Sequence, residues 1–198
     1  MSEQELMRSI KDKWAAEIAA ACQNSSVAPA FLAALIANES GGKKDAERFE
    51  PAVFERLKEV LLGAKPHYSP AGIKRAITRQ DLLAYCDPGL GQERGDFPTA
   101  LQCLHNLSTS WGLTQIMGWH LIEFQNGVGT AILSTPGGNL KFATRLLAWF
   151  AERYSLDLAT GFGDLFTCWN TGEPTGQTYD PHYVANGLAR MELWNGLA

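Results

Sequence analysis

Residues 29–42 read Pro-Ala-Phe-Leu-Ala-Ala-Leu-Ile-Ala-Asn-Glu-Ser-Gly-Gly. Pro29 has the fixed φ that suits a first helical turn, and Gly41 and Gly42 suit a helix stop. The stretch therefore predicts a helix from about Pro29 to Ser40. Leu32, Leu35 and Ile36 share one face of it, and Glu39 falls on that same face by helical spacing. A carboxylate ending an apolar stripe is disfavoured twice: it borders a core, and it sits at the negative end of the helix dipole. Taken alone, it is read as a helix-end charge.

Outward from this segment the periodicity is helical almost throughout. Ser2 and Glu5 have capping-box spacing, and Leu6, Ile10, Trp14 and Ile18 recur every four residues, so residues 2–22 read as an amphipathic, core-packing helix. Pro51 to Leu62 reads as another, with Phe54, Leu57, Lys58 and Leu61 on one side and Gly63 as its stop. Residues 64–97 are rich in Pro, Gly and charge, with short helical pieces expected around 70–77 and 79–86. Pro98 opens a helix to Leu107, a turn follows at Ser108–Gly112, and an apolar segment runs from Leu113 to Met117. Leu140, Ala143, Leu147, Phe150 and Tyr154 trace a long helix, and a last one runs from about Asp180 to Trp194. Alternating β-branched runs are almost absent and no internal repeat or low-complexity linker interrupts the chain. The expectation is a mainly α fold: a single compact helical domain over 1–198 with a cleft and little or no sheet.

Composition narrows the function. The 198 residues suffice for one domain with a real core, and a 45% hydrophobic, 19% charged balance is that of a globular chain rather than a disordered one. The net charge of −4 comes without a basic stripe, which sets nucleic acid aside and argues against electrostatic attraction to an anionic surface. The N-terminus lacks a basic start followed by an apolar run, so no signal peptide is expected, and no apolar stretch is long enough to span a bilayer. Cys22, Cys86, Cys103 and Cys168 are scattered with no CxxC pair, which makes a zinc site unexpected. They read as buried free thiols, with one or two disulfides left open for a protein acting outside the cell.

Three segments carry chemistry: Ile36-Ala-Asn-Glu-Ser-Gly-Gly42, Ser110-Trp-Gly-Leu-Thr-Gln-Ile-Met-Gly118, and Cys168-Trp-Asn-Thr-Gly172. Singly, the last two are turns. Together and in this order they resemble the lysozyme-like superfamily, in particular lytic transglycosylases and phage or bacterial N-acetylmuramidases. That pattern has a catalytic Glu-Ser at a helix end, a Ser-x-x-Gly-Leu-x-Gln-Ile segment lining the cleft, and an aromatic-Asn pair before a Gly. The resemblance covers roughly residues 30–190. Val53-Phe-Glu-Arg56 and the Ser-Trp-Gly and Ile-Met-Gly triplets lean toward the muramidase group. The chain departs from the pattern in an insertion at 45–107 between the Glu and Ser motifs, in Thr114 for the usual Met or Phe, and in Trp169 for the usual Tyr, which removes a hydroxyl.

The resemblance implies an α+β lysozyme-like domain that cleaves the MurNAc-GlcNAc β-1,4 bond of peptidoglycan with Glu39 as general acid/base. A glycosidic oxygen leaves poorly until protonated, so the acid must hold its proton near neutral pH. Burial against Leu35 and Ile36 should raise an ordinary Glu far enough; the general acid of lysozyme is tuned in the same way. Ser110, Gln115 and Asn170 are expected to bond sugar hydroxyls or N-acetyl groups. Trp111, Trp119 and Trp169 are candidates to stack on sugar rings, with core packing at least an equal reading for each; Trp111 and Trp169 are favoured because they sit inside the motifs. A second carboxylate would come from Asp45, Glu47, Glu50 or Glu55. Glu55 is the best of these, although a solvated helix charge paired with a cation is the preferred reading of it. Without a second carboxylate, Glu39 alone gives a 1,6-anhydro product. His67, His105, His120 and His182 show no acidic clustering and read as structural or surface residues. No metal or cofactor is implied. The expected partner is the peptidoglycan glycan strand, with no nucleic acid or membrane and a monomeric protein, made in the cytoplasm and acting on the wall as a phage lysin or an exported effector. Two alternatives stay open: a chitin or chito-oligosaccharide glycosidase, and a glycan-binding module or virion structural part that has lost activity. Retention of the Glu, Ser, Gln and Asn set argues against loss.

Overall fold

A computed structural model describes residues 1–86, 97–124 and 129–197; the expectations for 87–96 lie outside the described residues. Helix α1 (Glu3–Cys22) starts at the expected box: Glu5 N–H donates to Ser2 Oγ at 3.2 Å and Ser2 N–H to Glu5 Oε2 at 2.6 Å. Its stripe buries Leu6, Ile10 and Ile18. The half-buried Trp14 reaches across to donate its indole N–H to Gly42 O at 3.1 Å. Helix α2 (Pro29–Glu39) is buried from Ala30 to Ala37 on every face, more than a one-sided stripe implies. A helix apolar all round belongs in the centre of a core, and α2 packs there against α1 and α9 (Tyr183–Gly196). Helices α7 (Pro136–Tyr154) and α8 (Phe162–Thr171) close this main core, where Phe31 meets Phe166 at 4.3 Å between ring centroids.

Residues 45–107 build most of a second, smaller core. They contribute β1 (Glu47–Phe49), α3 (Pro51–Leu61), the ribbon of β2 (His67–Tyr68) and β3 (Ile77–Thr78), α4 (Arg79–Cys86) and α5 (Phe97–Leu107). Leu57, Leu61, Ile77, Leu82 and Leu104 are buried together there, with Trp119 and Ile122 from α6 (His120–Phe124) and the residue before it. A three-stranded antiparallel sheet joins the two halves in the order β1-β4-β5, with β4 at Thr109–Trp111 and β5 at Ile116–Met117. Arg48 pairs with Ser110, and Ser110 with Met117.

The architecture is mainly helical with a small sheet. Several local expectations need correction. Residues 70–77 form turns and the start of β3 rather than a helix, and 108–117 form a hairpin rather than a turn and a plain segment. The Trp-Asn-Thr-Gly stretch is the last turn of α8, capped by Gly172 at φ 88°. Cys86 and Cys103 are joined in a disulfide that ties α4 to α5, while Cys22 and Cys168 are the buried free thiols the sequence suggested for all four.

Candidate active site

The end of α2 is fixed from three sides. Ser40 N–H and its hydroxyl both turn back to Ile36 O, and the hydroxyl lies 2.8 Å from Leu113 O in the hairpin. Gly41 and Gly42 then take φ of 60° and 84°, and a Cβ on Gly42 would lie 3.1 Å from Ile10 Cγ1, so the break requires glycine there. This geometry leaves the Glu39 carboxyl half-buried, with Tyr183 donating its hydroxyl to Oε1. Burial pushes the Glu39 carboxyl up from 4.5 to about 7; the Tyr183 hydrogen bond and the positive charge of Arg48 pull the other way and are overcome. Such a group exchanges its proton near neutral pH, as a general acid/base must.

Tyr183 lies 144 residues from Glu39 and no motif announces it. It stands at the first turn of α9, where Asn38 donates to its carbonyl at 3.0 Å. Arg190 in turn donates to Asn38 Oδ1 at 2.6 Å and pairs with Glu3 of α1. One polar chain thus locks α1, α2 and α9 around the acid.

The hairpin turn, residues 112–115, is held by its own side chains. Gln115 has φ of 52°, and its amide donates to Ala46 O and Gly112 O, both at 2.9 Å, while accepting from Ser110 Oγ at 2.9 Å. Ser110 is only 3% exposed. These two residues, expected to bond sugar, bond each other and the turn; of the pair only Gln115 reaches an open surface. Behind the turn, Asn139 is fully buried and makes four hydrogen bonds. Its amide donates to Trp111 O and Leu133 O, and its carbonyl accepts from Thr114 N–H and Thr114 Oγ1. Gly112 has φ of 73°, and a Cβ there would fall 2.6 Å from Asn139 Nδ2. Half-buried Trp111 donates its indole N–H to Asn106 O at 2.9 Å.

A cavity of about 180 Å³ opens beside this turn. Gln115, Met117, His120, Trp169, Asn170 and Gly172 line it together with Ala71 and Gly72. Trp169 donates its indole N–H to Thr114 O at 3.1 Å, so its ring is a fixed wall, and Asn170 is exposed. The Gly72 backbone packs on Gly172 so closely that a Cβ on Gly72 would lie 2.8 Å from Gly172 Cα. Glu39 is not among the lining residues. The turn connects the two: Ser40 holds Leu113 and Trp169 holds the next residue, Thr114.

Of the remaining candidates, Trp119 is buried in the smaller core and also contributes to the cavity lining. Glu55 is exposed and pairs with Lys58 at 3.0 Å, Glu50 pairs with Arg48 at 2.7 Å, Asp45 lies 3.7 Å from Lys44, and Glu47 is exposed on β1. The absence of acidic neighbours expected for the histidines fails at His120, whose Nδ1 lies 3.4 Å from Glu123 Oε2 in a buried pair one helical turn apart. Among the described residues, no group of three or more His, Cys, Asp or Glu side chains could hold a metal ion, and no helix is long and apolar enough to cross a membrane. Compared with known proteins, the chain matches no family model, no curated protein and no solved structure.

Proposed function

We propose that this protein cleaves the β-1,4 bond between N-acetylmuramic acid and N-acetylglucosamine in peptidoglycan, with Glu39 as the single acid/base. The observation that carries the reading is a half-buried carboxyl at a helix end, raised to about 7 by burial and held by Tyr183. It is joined through one hairpin turn to a cavity walled by an indole ring and an exposed amide. An aromatic face beside a few polar groups suits a sugar. The resemblance of the three motifs to muramidases and lytic transglycosylases points the same way.

In this reaction protonated Glu39 gives its proton to the departing O4 as the C1–O4 bond breaks. The resulting carboxylate then takes the proton of the same sugar's 6-hydroxyl, whose oxygen closes on C1. Proton and electron pair return to their starting places, and the product carries a 1,6-anhydro end. Asp45, Glu50 and Glu55 lie beside neighbouring cations and Glu47 is exposed on β1; a route through Glu39 alone calls on none of them.

The test is clearing of a suspension of bacterial walls by the wild type and by Glu39→Gln. Clearing by the wild type alone is the expected result; equal clearing by both removes Glu39 from the mechanism. Cleavage of chitin but not walls moves the protein to chito-oligosaccharides, and tight sedimentation with walls without clearing makes it a binding module.

A further inference from the structure

His120 and Glu123 are unaccounted for by the reaction above. His120 is 7% exposed, lines the cavity, and lies against Trp119 at 3.8 Å between ring centroids. Its Nδ1 lies 3.4 Å from Glu123 Oε2, and both atoms are sealed from solvent with no hydrogen-bond partner among the described residues. An imidazole whose Nδ1 is turned to a carboxylate carries its proton there and presents Nε2 as an acceptor. Hydrogen bonds in an empty site are often long and tighten on binding. Burial holds the ring below its usual protonation range, which keeps it neutral. The other oxygen, Glu123 Oε1, accepts from the backbone N–H groups of Lys74 and Arg75 at 2.6 and 2.8 Å. Those residues are separated only by Ile73 from Ala71 and Gly72, which line the cavity. One buried carboxylate therefore lies beside a cavity histidine and fastens the segment next to Ala71 and Gly72.

We propose that Glu123 and His120 form a recognition dyad for one N-acetylhexosamine ring of the glycan, His120 Nε2 accepting a hydroxyl or acetamido N–H while Glu123 holds the 71–75 segment against the sugar. The dyad rests on the glycan reading of the site. It is separate from the chemistry: His120 binds the sugar, Glu123 positions the site around it, and their loss weakens binding and leaves the acid in place.

The probe is a β-1,4-linked tetramer of N-acetylglucosamine, titrated into Glu39→Gln protein so that nothing is cut. Adding His120→Phe should weaken its binding about fivefold to tenfold, the effect of one lost hydrogen bond to a neutral group. His120→Gln, which restores a polar atom near the Nε2 position and guards against a folding defect, should recover most of it. Bound tetramer should slow trypsin cleavage after Lys74 and Arg75, and Glu123→Ala should speed that cleavage with no sugar present. In the active protein, His120→Phe should raise KM on wall fragments with kcat little changed. Wall clearing combined with tetramer affinity that His120→Phe leaves unchanged, or with no tetramer affinity at all, overturns the dyad alone. Failure of both clearing and binding overturns the glycan reading with it.

Discussion

If Glu39 carries its raised proton affinity because the fold buries it, then the fold is less stable for carrying it, and Glu39→Gln should be more stable than the wild type above neutral pH. The unfolded chain releases this proton near 4.5, whereas the folded chain holds it to about 7. As pH rises through that window, the unfolded state binds fewer protons than the folded one, so stability falls. Below 4.5 both states are protonated and nothing is lost. A gap of this size corresponds to about 3 kcal/mol by pH 8. Gln stands in for the protonated acid, keeps an acceptor for Tyr183 and has no proton to lose. Urea unfolding of both proteins at pH 4, 6 and 8 reads the difference directly, and every other titrating group cancels in the comparison. The Gln variant should gain on the wild type by about 3 kcal/mol between pH 4 and 8, or roughly 6–12 °C in Tm for a chain of this size. A difference that stays flat with pH would refute the burial argument, and with it the ground for making Glu39 the acid.

Three further outcomes follow from the same geometry. Tyr183→Phe removes the hydrogen bond that lowers the Glu39 value, so the upper limb of the pH–rate profile should move to higher pH; a shift downward in the measured profile would contradict the assignment. Asn139→Ala leaves the hairpin turn without its four buried hydrogen bonds and should cost about 2–4 kcal/mol in urea unfolding, with activity reduced because the turn joins Glu39 to the cavity. Reduction of the Cys86–Cys103 bond, which closes a loop of 17 residues, should lower stability by about 3 kcal/mol in the same assay without changing the pH–rate profile, since neither cysteine lines the cavity.

What could be read from the sequence were the elements whose signals are local. Ser2 and Glu5 mark the start of α1, Pro29 and the Gly41-Gly42 pair bracket α2, and the apolar spacing of α7 survives in the fold almost residue for residue. Other features depend on contacts that no window contains. Strands of two or three residues are too short to show alternation; β4 and β5 exist because Asn139, some 25 residues further on, fastens the turn between them. Helix α8 was hidden because Asn170-Thr-Gly172 reads as a turn, when Gly172 is its cap. At the site, Glu39 was legible as an acid forced into an apolar stripe, but its hydrogen-bond donor Tyr183 comes from the far end of the chain. Ser110 and Gln115 were legible as a motif, whereas the structure has them bonding one another. His120 and Glu123, at helical spacing, could have been paired from the sequence; what could not be read is that Glu123 also binds the 71–75 segment.

The most direct test of the account is mass spectrometry of the soluble fragments released from purified peptidoglycan, with Glu39→Gln alongside. Muropeptides ending in 1,6-anhydro muramic acid, present with the wild type and missing with the variant, are the predicted result. Fragments released equally by both proteins, or none released by either, would contradict it.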